Sequence, residues 1–223
     1  MSIVRNRQPA LTRVVPHQGN RRYAVPQHIG PVNLLLVGDS WTDDTYSHGQ
    51  YPAVLPPGDR ITVVNEGAAA RPFTNTYAGS VEAGMAGWLS ANPATDIAVV
   101  CSTGINDIGT AVTDAALQDA ANSVIADCAA ANAKVIFVGM IRSSSWAGAR
   151  NTQANDFDVW LRELCAVGGH GYVPCVGTVC NDSQILATYA EDPTHLNQAG
   201  ANVLAGVIMG VIKATKYRKA GSV

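Results

Sequence analysis

Four short segments carry side chains of the kinds that acyl transfer needs. Gly38-Asp39-Ser40 places a hydroxyl on the turn that leaves the apolar run 34–37. A serine hydroxyl is a weak nucleophile at neutral pH and needs an adjacent base. Its backbone N–H at such a turn can face the oxyanion that attack creates. Asp192-Pro193-Thr194-His195 offers that base, with His195 to accept the Ser40 proton and Asp192 to orient the imidazole. Asn65-Glu66-Gly67 supplies a residue without a side chain, where a backbone N–H can approach a ligand closely. Gly104-Ile105-Asn106-Asp107 supplies the Asn106 amide as another donor. Taken singly, these are a bare turn, a loop glycine, an Asp-Pro turn with an exposed histidine and a capping turn. What points to a site is their order, each falling where a strand ends or the last helix begins.

The elements that would position them alternate along the chain. Short apolar runs at 33–37, 61–64, 97–101 and 134–138 read as buried parallel strands, with a weaker fifth near 172–173. Leu117, Ala121, Val124, Ile125 and Cys128 follow helical spacing after Thr113 as N-cap, with Asn132 near the end. Phe157, Trp160, Leu161, Leu164 and Cys165 form a second stripe, and Val203, Leu204, Val207, Ile208 and Val211 a third. This alternation predicts a three-layer α/β/α sandwich on a mostly parallel five-stranded sheet. In such sheets ligands bind beyond the carboxyl ends of the strands, and the Ser40, Gly67 and Asn106 segments fall at such ends.

With these four blocks on the page, the sequence resembles the SGNH (GDSL-type) hydrolase family, over roughly residues 33–212. The resemblance implies a flavodoxin-like SGNH fold and a serine esterase. It implies Ser40 as nucleophile, Asp192 and His195 as the rest of the triad, and the Ser40 and Gly67 N–H groups with the Asn106 side chain as oxyanion hole. No cofactor and no metal is implied. Trp41 stands where the family usually has Leu or Ile, which changes what lines the pocket. Other members include thioesterases and lysophospholipases.

Remaining features bound the reading. Of 223 residues, 47% are apolar and 14% charged, which suits one compact catalytic domain at 31–212. Residues 1–30 carry five arginines and no acid, and 213–223 carry four bases and no acid, leaving the body with 17 acids and 6 bases. Such a body is poorly suited to nucleic acid. Pro9, Pro16 and Pro26 favour an extended basic arm at 1–30, which leaves self-association through it open. The arm lacks the apolar stretch of a signal peptide, and no run spans a bilayer, so a cytoplasmic setting is the default expectation. Cys175 and Cys180, separated by four residues, make no zinc pattern, and one disulfide among Cys165, Cys175 and Cys180 stays open. His48 and His170 read as loop residues, and Asp43 and Asp44 as the first turn of a helix rather than a metal pair.

About 23 residues separate the first two strands, too few for a large apolar lid. Ser143, Ser144, Ser145 and Trp146 suit a polar substrate with a flat apolar face, with Trp41 and Trp146 as contacts. A short acyl group such as acetyl on a carbohydrate is therefore the expected small-molecule substrate. The rivals are a non-catalytic module of a larger assembly and a flavodoxin-like nucleotide binder. The latter wants a glycine-rich phosphate loop that Gly38-Asp39-Ser40-Trp41 does not supply.

Overall fold

The computed structural model describes residues 31–45, 49, 51–52, 55, 61–75, 78–101, 103–108, 110 and 112–217. The arm at 1–30, His48 and residues 218–223 of the tail lie outside the described residues. Among the described residues five strands and four helices follow in order: β1 Val32–Gly38, β2 Ile61–Gly67, α1 Val81–Ala91, β3 Ile97–Val100, α2 Asp114–Ala130, β4 Lys134–Val138, α3 Ala149–Gly168, β5 Gly171–Val173 and α4 Gln198–Tyr217.

All pairings are parallel and the strand order is β2-β1-β3-β4-β5. Consecutive residues of β1, β3 and β4 are buried, from Leu34 through Val37, Ile97 through Val100 and Val135 through Val138. A strand buried on both faces needs a layer on each side. The crossovers containing α1, α2 and α3 all run in one direction across the sheet, and their shared right-handedness puts them on one face. There α1 packs on α2 and α2 on α3, while α4 packs on β4 and β5 to complete the third layer. The sheet switches direction at β1, between β2 and β3, and that is where a crevice forms in folds of this kind.

Local signals account for the helices. The Thr113 hydroxyl accepts from the Ala116 N–H to cap α2. At its other end Asn132 adopts φ 56°, and the Ala133 N–H reaches the Cys128 carbonyl at 2.8 Å. That is a left-handed C-terminal cap with asparagine in the glycine position. The helix missed in the sequence is α1. It is capped by Ser80 and buries Val81, Met85 and Leu89 at a four-residue spacing, but Gly84 and Gly87 dilute the stripe.

Three further readings can be set against the structure. The domain boundary at 212 cuts α4, which continues through Lys213 to Tyr217. By length and composition α4 is apolar enough to cross a membrane, with mean hydropathy 1.2, yet it buries Leu204, Ile208, Met209 and Ile212 as a core helix does. All five cysteines are buried and none is in a disulfide, which answers the question left open for Cys165, Cys175 and Cys180. Burial raises the thiols of Cys165, to about 12, and of Cys180, to about 11, which suits packing rather than reactivity.

Candidate active site

The turn after β1 is held from within. Thr42 and Asp43 N–H groups both donate to the Asp39 carbonyl at 2.9 Å, and the Asp39 carboxylate accepts the Trp41 N–H at 3.0 Å. Asp39, Trp41 and Thr42 are buried and only Ser40 is partly open. Its Oγ lies 3.0 Å from His195 Nε2, across 155 positions of sequence. His195 Nδ1 lies 2.8 Å from Asp192 Oδ2, and Asp192 Oδ1 accepts the backbone N–H groups of Thr194 and His195 at 2.7 and 2.8 Å. Burial works to raise the Asp192 carboxyl, but the hydrogen bonds from Thr194 and His195 outweigh it and hold the group below its ordinary range. A charged Asp192 accepts from Nδ1–H, which leaves the Nε2 lone pair toward Ser40.

Asn106 comes to the same edge. Its Nδ2 donates to Asp39 Oδ2 at 2.9 Å and to the Arg71 carbonyl at 3.0 Å. The neighbouring Asp107, fully buried, accepts the Phe73 and Thr74 N–H groups and the Thr74 hydroxyl. One block therefore aims Asn106 at the serine turn and ties down the segment after β2.

Residues 36–203 match the GDSL-like Lipase/Acylhydrolase family, and this stretch carries all four blocks. The chain belongs to that family. It is accordingly a GDSL-type carboxylic ester hydrolase. Solved structures of similar fold include a member of the lipolytic protein G-D-S-L family from Veillonella parvula, with TM-score 0.66, 16% identity, and 81% of this chain and 97% of that one covered. A mutant of an acetyl-xylooligosaccharide esterase from Geobacillus stearmophilus has TM-score 0.65 and 18% identity, over 82% and 95% of the two chains. An acetyl xylan esterase has TM-score 0.67 and 15% identity, over 81% and 100%. At these identities the likeness is one of fold. No curated protein matches the sequence.

In this GDSL-family chain Gly67 does not do what its sequence position suggested. Its N–H is taken by Asn65 Oδ1 at 2.9 Å, while Asn65 Nδ2 donates to the Thr42 carbonyl at 2.8 Å. A Cβ on Gly67 would lie 2.3 Å from the Thr42 carbonyl carbon, so the glycine is there for close approach of two backbones. The segment after it lies beside the serine turn instead. Ala68 N–H donates to the Gly38 carbonyl, Ala69 N–H to Asp43 Oδ2, and the Arg71 carbonyl accepts from Asn106. Between them, Ala70 adopts φ 58°, and among the described residues its N–H and that of Ser40 have no protein acceptor. A left-handed alanine carries steric strain that glycine does not. Ala70→Gly is therefore expected to raise stability by about 0.5–1 kcal/mol, read as a higher urea midpoint with hydrolysis retained.

Asp43 and Asp44 are in a turn, not a helix. Asp43 accepts the Thr45 hydroxyl at 2.6 Å and the Thr45 N–H at 2.9 Å, besides the Ala69 N–H. These bonds, the Thr45 hydroxyl first, keep its carboxyl below the ordinary value. Its stabilising share is thus present above the ordinary carboxylate pKa and is lost as pH falls through the depressed one. In Asp43→Asn, the decline of the thermal midpoint between about pH 5 and pH 3 is expected to be shallower than in the parent. No group of three or more His, Cys, Asp or Glu side chains suited to a metal occurs among the described residues.

Trp41 and Trp146 offer little to a ligand, with 3% and 9% of their surfaces exposed. The Asp39 bond that draws the Trp41 N–H inward accompanies a ring sunk in the core, with Nε1 unpartnered. Arg142 and Ser143 are buried too, and Ser144 and Ser145 are the exposed part of that loop. Sequence reasoning gave no part to Arg71. Its guanidinium donates to the Glu66 and Gly38 carbonyls and lies 4.7 Å from the Trp88 ring centroid, pinning the Ala70 segment.

Proposed function

We propose that this family member hydrolyses short-chain carboxylic esters, acetyl groups on carbohydrate foremost, through an acyl-enzyme on Ser40. The observation that carries the chemistry is the contact chain Ser40 Oγ, His195 Nε2, His195 Nδ1, Asp192 Oδ2, at 3.0 and 2.8 Å. Ser40 Oγ attacks the ester carbonyl carbon while Nε2 takes its proton. The oxyanion then receives the Ser40 and Ala70 N–H groups, with Asn106 sharing one of its two N–H bonds. His195 returns the proton to the departing alcohol, and the acyl group stays on Ser40. Water, deprotonated by His195, attacks that ester, and collapse frees the carboxylic acid and restores the serine hydroxyl.

The choice of acyl group rests on the short connection between the first two strands, the exposed polar Ser144 and Ser145, and two fold relatives described as acetyl xylan and acetyl-xylooligosaccharide esterases. The deciding experiment is kcat/KM across p-nitrophenyl esters of rising chain length, acetylated xylooligosaccharides, an acyl-CoA and a lysophospholipid. Acetyl esters are expected to lead, with a drop of about tenfold or more by eight carbons. Rates that climb with chain length, or a preference for the thioester, would replace this substrate class with a lysophospholipase or thioesterase reading.

A further inference from the structure

His195 reaches Ser40 on a loop whose base is closed by the Asn197 N–H to the Tyr189 carbonyl at 2.8 Å, with the Gly49 N–H reaching the adjacent Leu196 carbonyl at 3.0 Å. The Glu191 N–H donates to the His195 carbonyl within the loop, and from outside the Ser144 N–H donates to the Pro193 carbonyl at 3.1 Å. The Ser143 hydroxyl also lies 3.4 Å from that of Thr194. On its Pro193–Thr194 side the histidine loop therefore leans on residues 143–144, and what fixes those residues lies beneath them.

Arg142 is 1% exposed. Its Nε donates to Asn155 Oδ1 at 3.0 Å, one terminal nitrogen to the Met140 carbonyl at 2.5 Å and the other to Asp158 Oδ2 at 3.3 Å. The other oxygen of Asp158 accepts the Met140 N–H and the Tyr172 hydroxyl, each at 2.8 Å. The guanidinium fork and the carboxylate thus grip the backbone leaving β4 from both its donor and its acceptor sides. A buried ion pair is seldom the most stable filling of a core, since well-packed apolar residues often match or exceed it. What an Arg fork gives that apolar residues cannot is fixed hydrogen-bond geometry. Nothing in the proposed chemistry uses Arg142 or Asp158.

We infer that the buried Arg142–Asp158 pair is a positioning device that sets the Ser40–His195 contact by fixing residues 143–144, against which the histidine loop is held. This rests on the triad reading above. Neither residue touches the reacting atoms, so neither is catalytic; each acts through the loop. A displacement of the base by about 1 Å can cost on the order of 100-fold in rate. The loss should fall on kcat, because substrate binding does not pass through this contact.

The test uses the full chain. The double variant Arg142→Met/Asp158→Leu removes both charges together and leaves no orphan ion in the core. In this folded variant kcat for p-nitrophenyl acetate is expected to fall roughly 30-fold with KM within about twofold. The rate of covalent labelling of Ser40 by a fluorophosphonate is expected to fall in step, a readout that lowered stability alone would not move in a protein folded by circular dichroism. Arg142→Lys keeps the charge but loses the fork, and should lie between. Ser144→Pro, at an exposed residue, removes the bond to the Pro193 carbonyl and restricts the backbone of Ser143, so it disturbs the 143–144 support directly and decides the matter if the double variant does not fold. It is expected to lower kcat about fivefold at constant KM. A folded double variant, or in its place a folded Ser144→Pro, with kcat and labelling rate at parental levels would overturn the inference, as would a loss confined to KM. Ser40→Ala run alongside separates the two levels: if it keeps hydrolysing the ester, the triad reading fails and the positioning role falls with it.

Discussion

Ser40→Ala is expected to lower kcat/KM for ester hydrolysis by about 10⁵-fold or more and to leave the fold intact. In the proposed mechanism the hydroxyl forms the acyl bond, and what would survive its removal is the small acceleration that binding and the oxyanion donors supply. Alanine fits because Ser40 is only partly buried and its turn is held by Asp39, not by the serine side chain. His195→Ala should come close to the same loss, since no other base lies within hydrogen-bond reach of Oγ among the described residues. Asp192→Ala should lose less, roughly 10⁴-fold, because the imidazole remains but loses the carboxylate that fixes its tautomer. Steady-state kinetics on the three variants, with circular dichroism to establish folding, check the order. Near-parental hydrolysis by folded Ser40→Ala would remove Ser40 from the chemistry.

Gly67→Ala is expected to cost about 3 kcal/mol of stability and, in the fraction that folds, about 100-fold in kcat. The added Cβ would sit 2.3 Å from the Thr42 carbonyl carbon and 2.5 Å from the Asp43 nitrogen, both backbone atoms. Backbone cannot rotate out of the way as a side chain can, so the turn carrying Ser40 has to move. The measurement is a urea unfolding curve paired with kcat. A stable Gly67→Ala protein with parental kcat would show that the two backbones do not meet as closely as described. An unchanged stability with lost activity would favour the oxyanion role that the Asn65 side chain now denies this glycine.

How far the sequence spoke depended on whether the signal was local. The strands at 134–138 and 33–37 announce themselves because each is a short apolar run, and β4 begins and ends where the pattern does. Thr113 is legible as a cap because a cap is a relation between residues three apart. Ser40, Asn106, Asp192 and His195 were legible because each sits at the boundary of such an element, and the structure brings them together. Gly67 misled for a physical reason: an unsubstituted α-carbon signals close approach but not to what, and here the neighbour is Thr42 rather than a ligand. Ala70 gave no signal, since its left-handed backbone is imposed by ties to Gly38, Asp43 and Asn106, all distant in sequence. The burial of Arg142, next to the serines at 143–145, follows from Asp158 and Asn155 on α3, a partnership invisible without the fold.

The 155 positions between nucleophile and base have a consequence for how the protein comes into being. A chain that ends before residue 195 has β1, β3 and β4 and the turn that carries Ser40, but in the proposed mechanism its hydroxyl lacks a base. The imidazole arrives only after β5, on the last loop before α4. With the proposed triad, a nascent chain is expected to hydrolyse no ester until synthesis has passed residue 195. The same arrangement makes a cut in the exposed stretch 181–184 a natural place to divide the protein into two inactive pieces whose reunion would be reported by the return of hydrolysis.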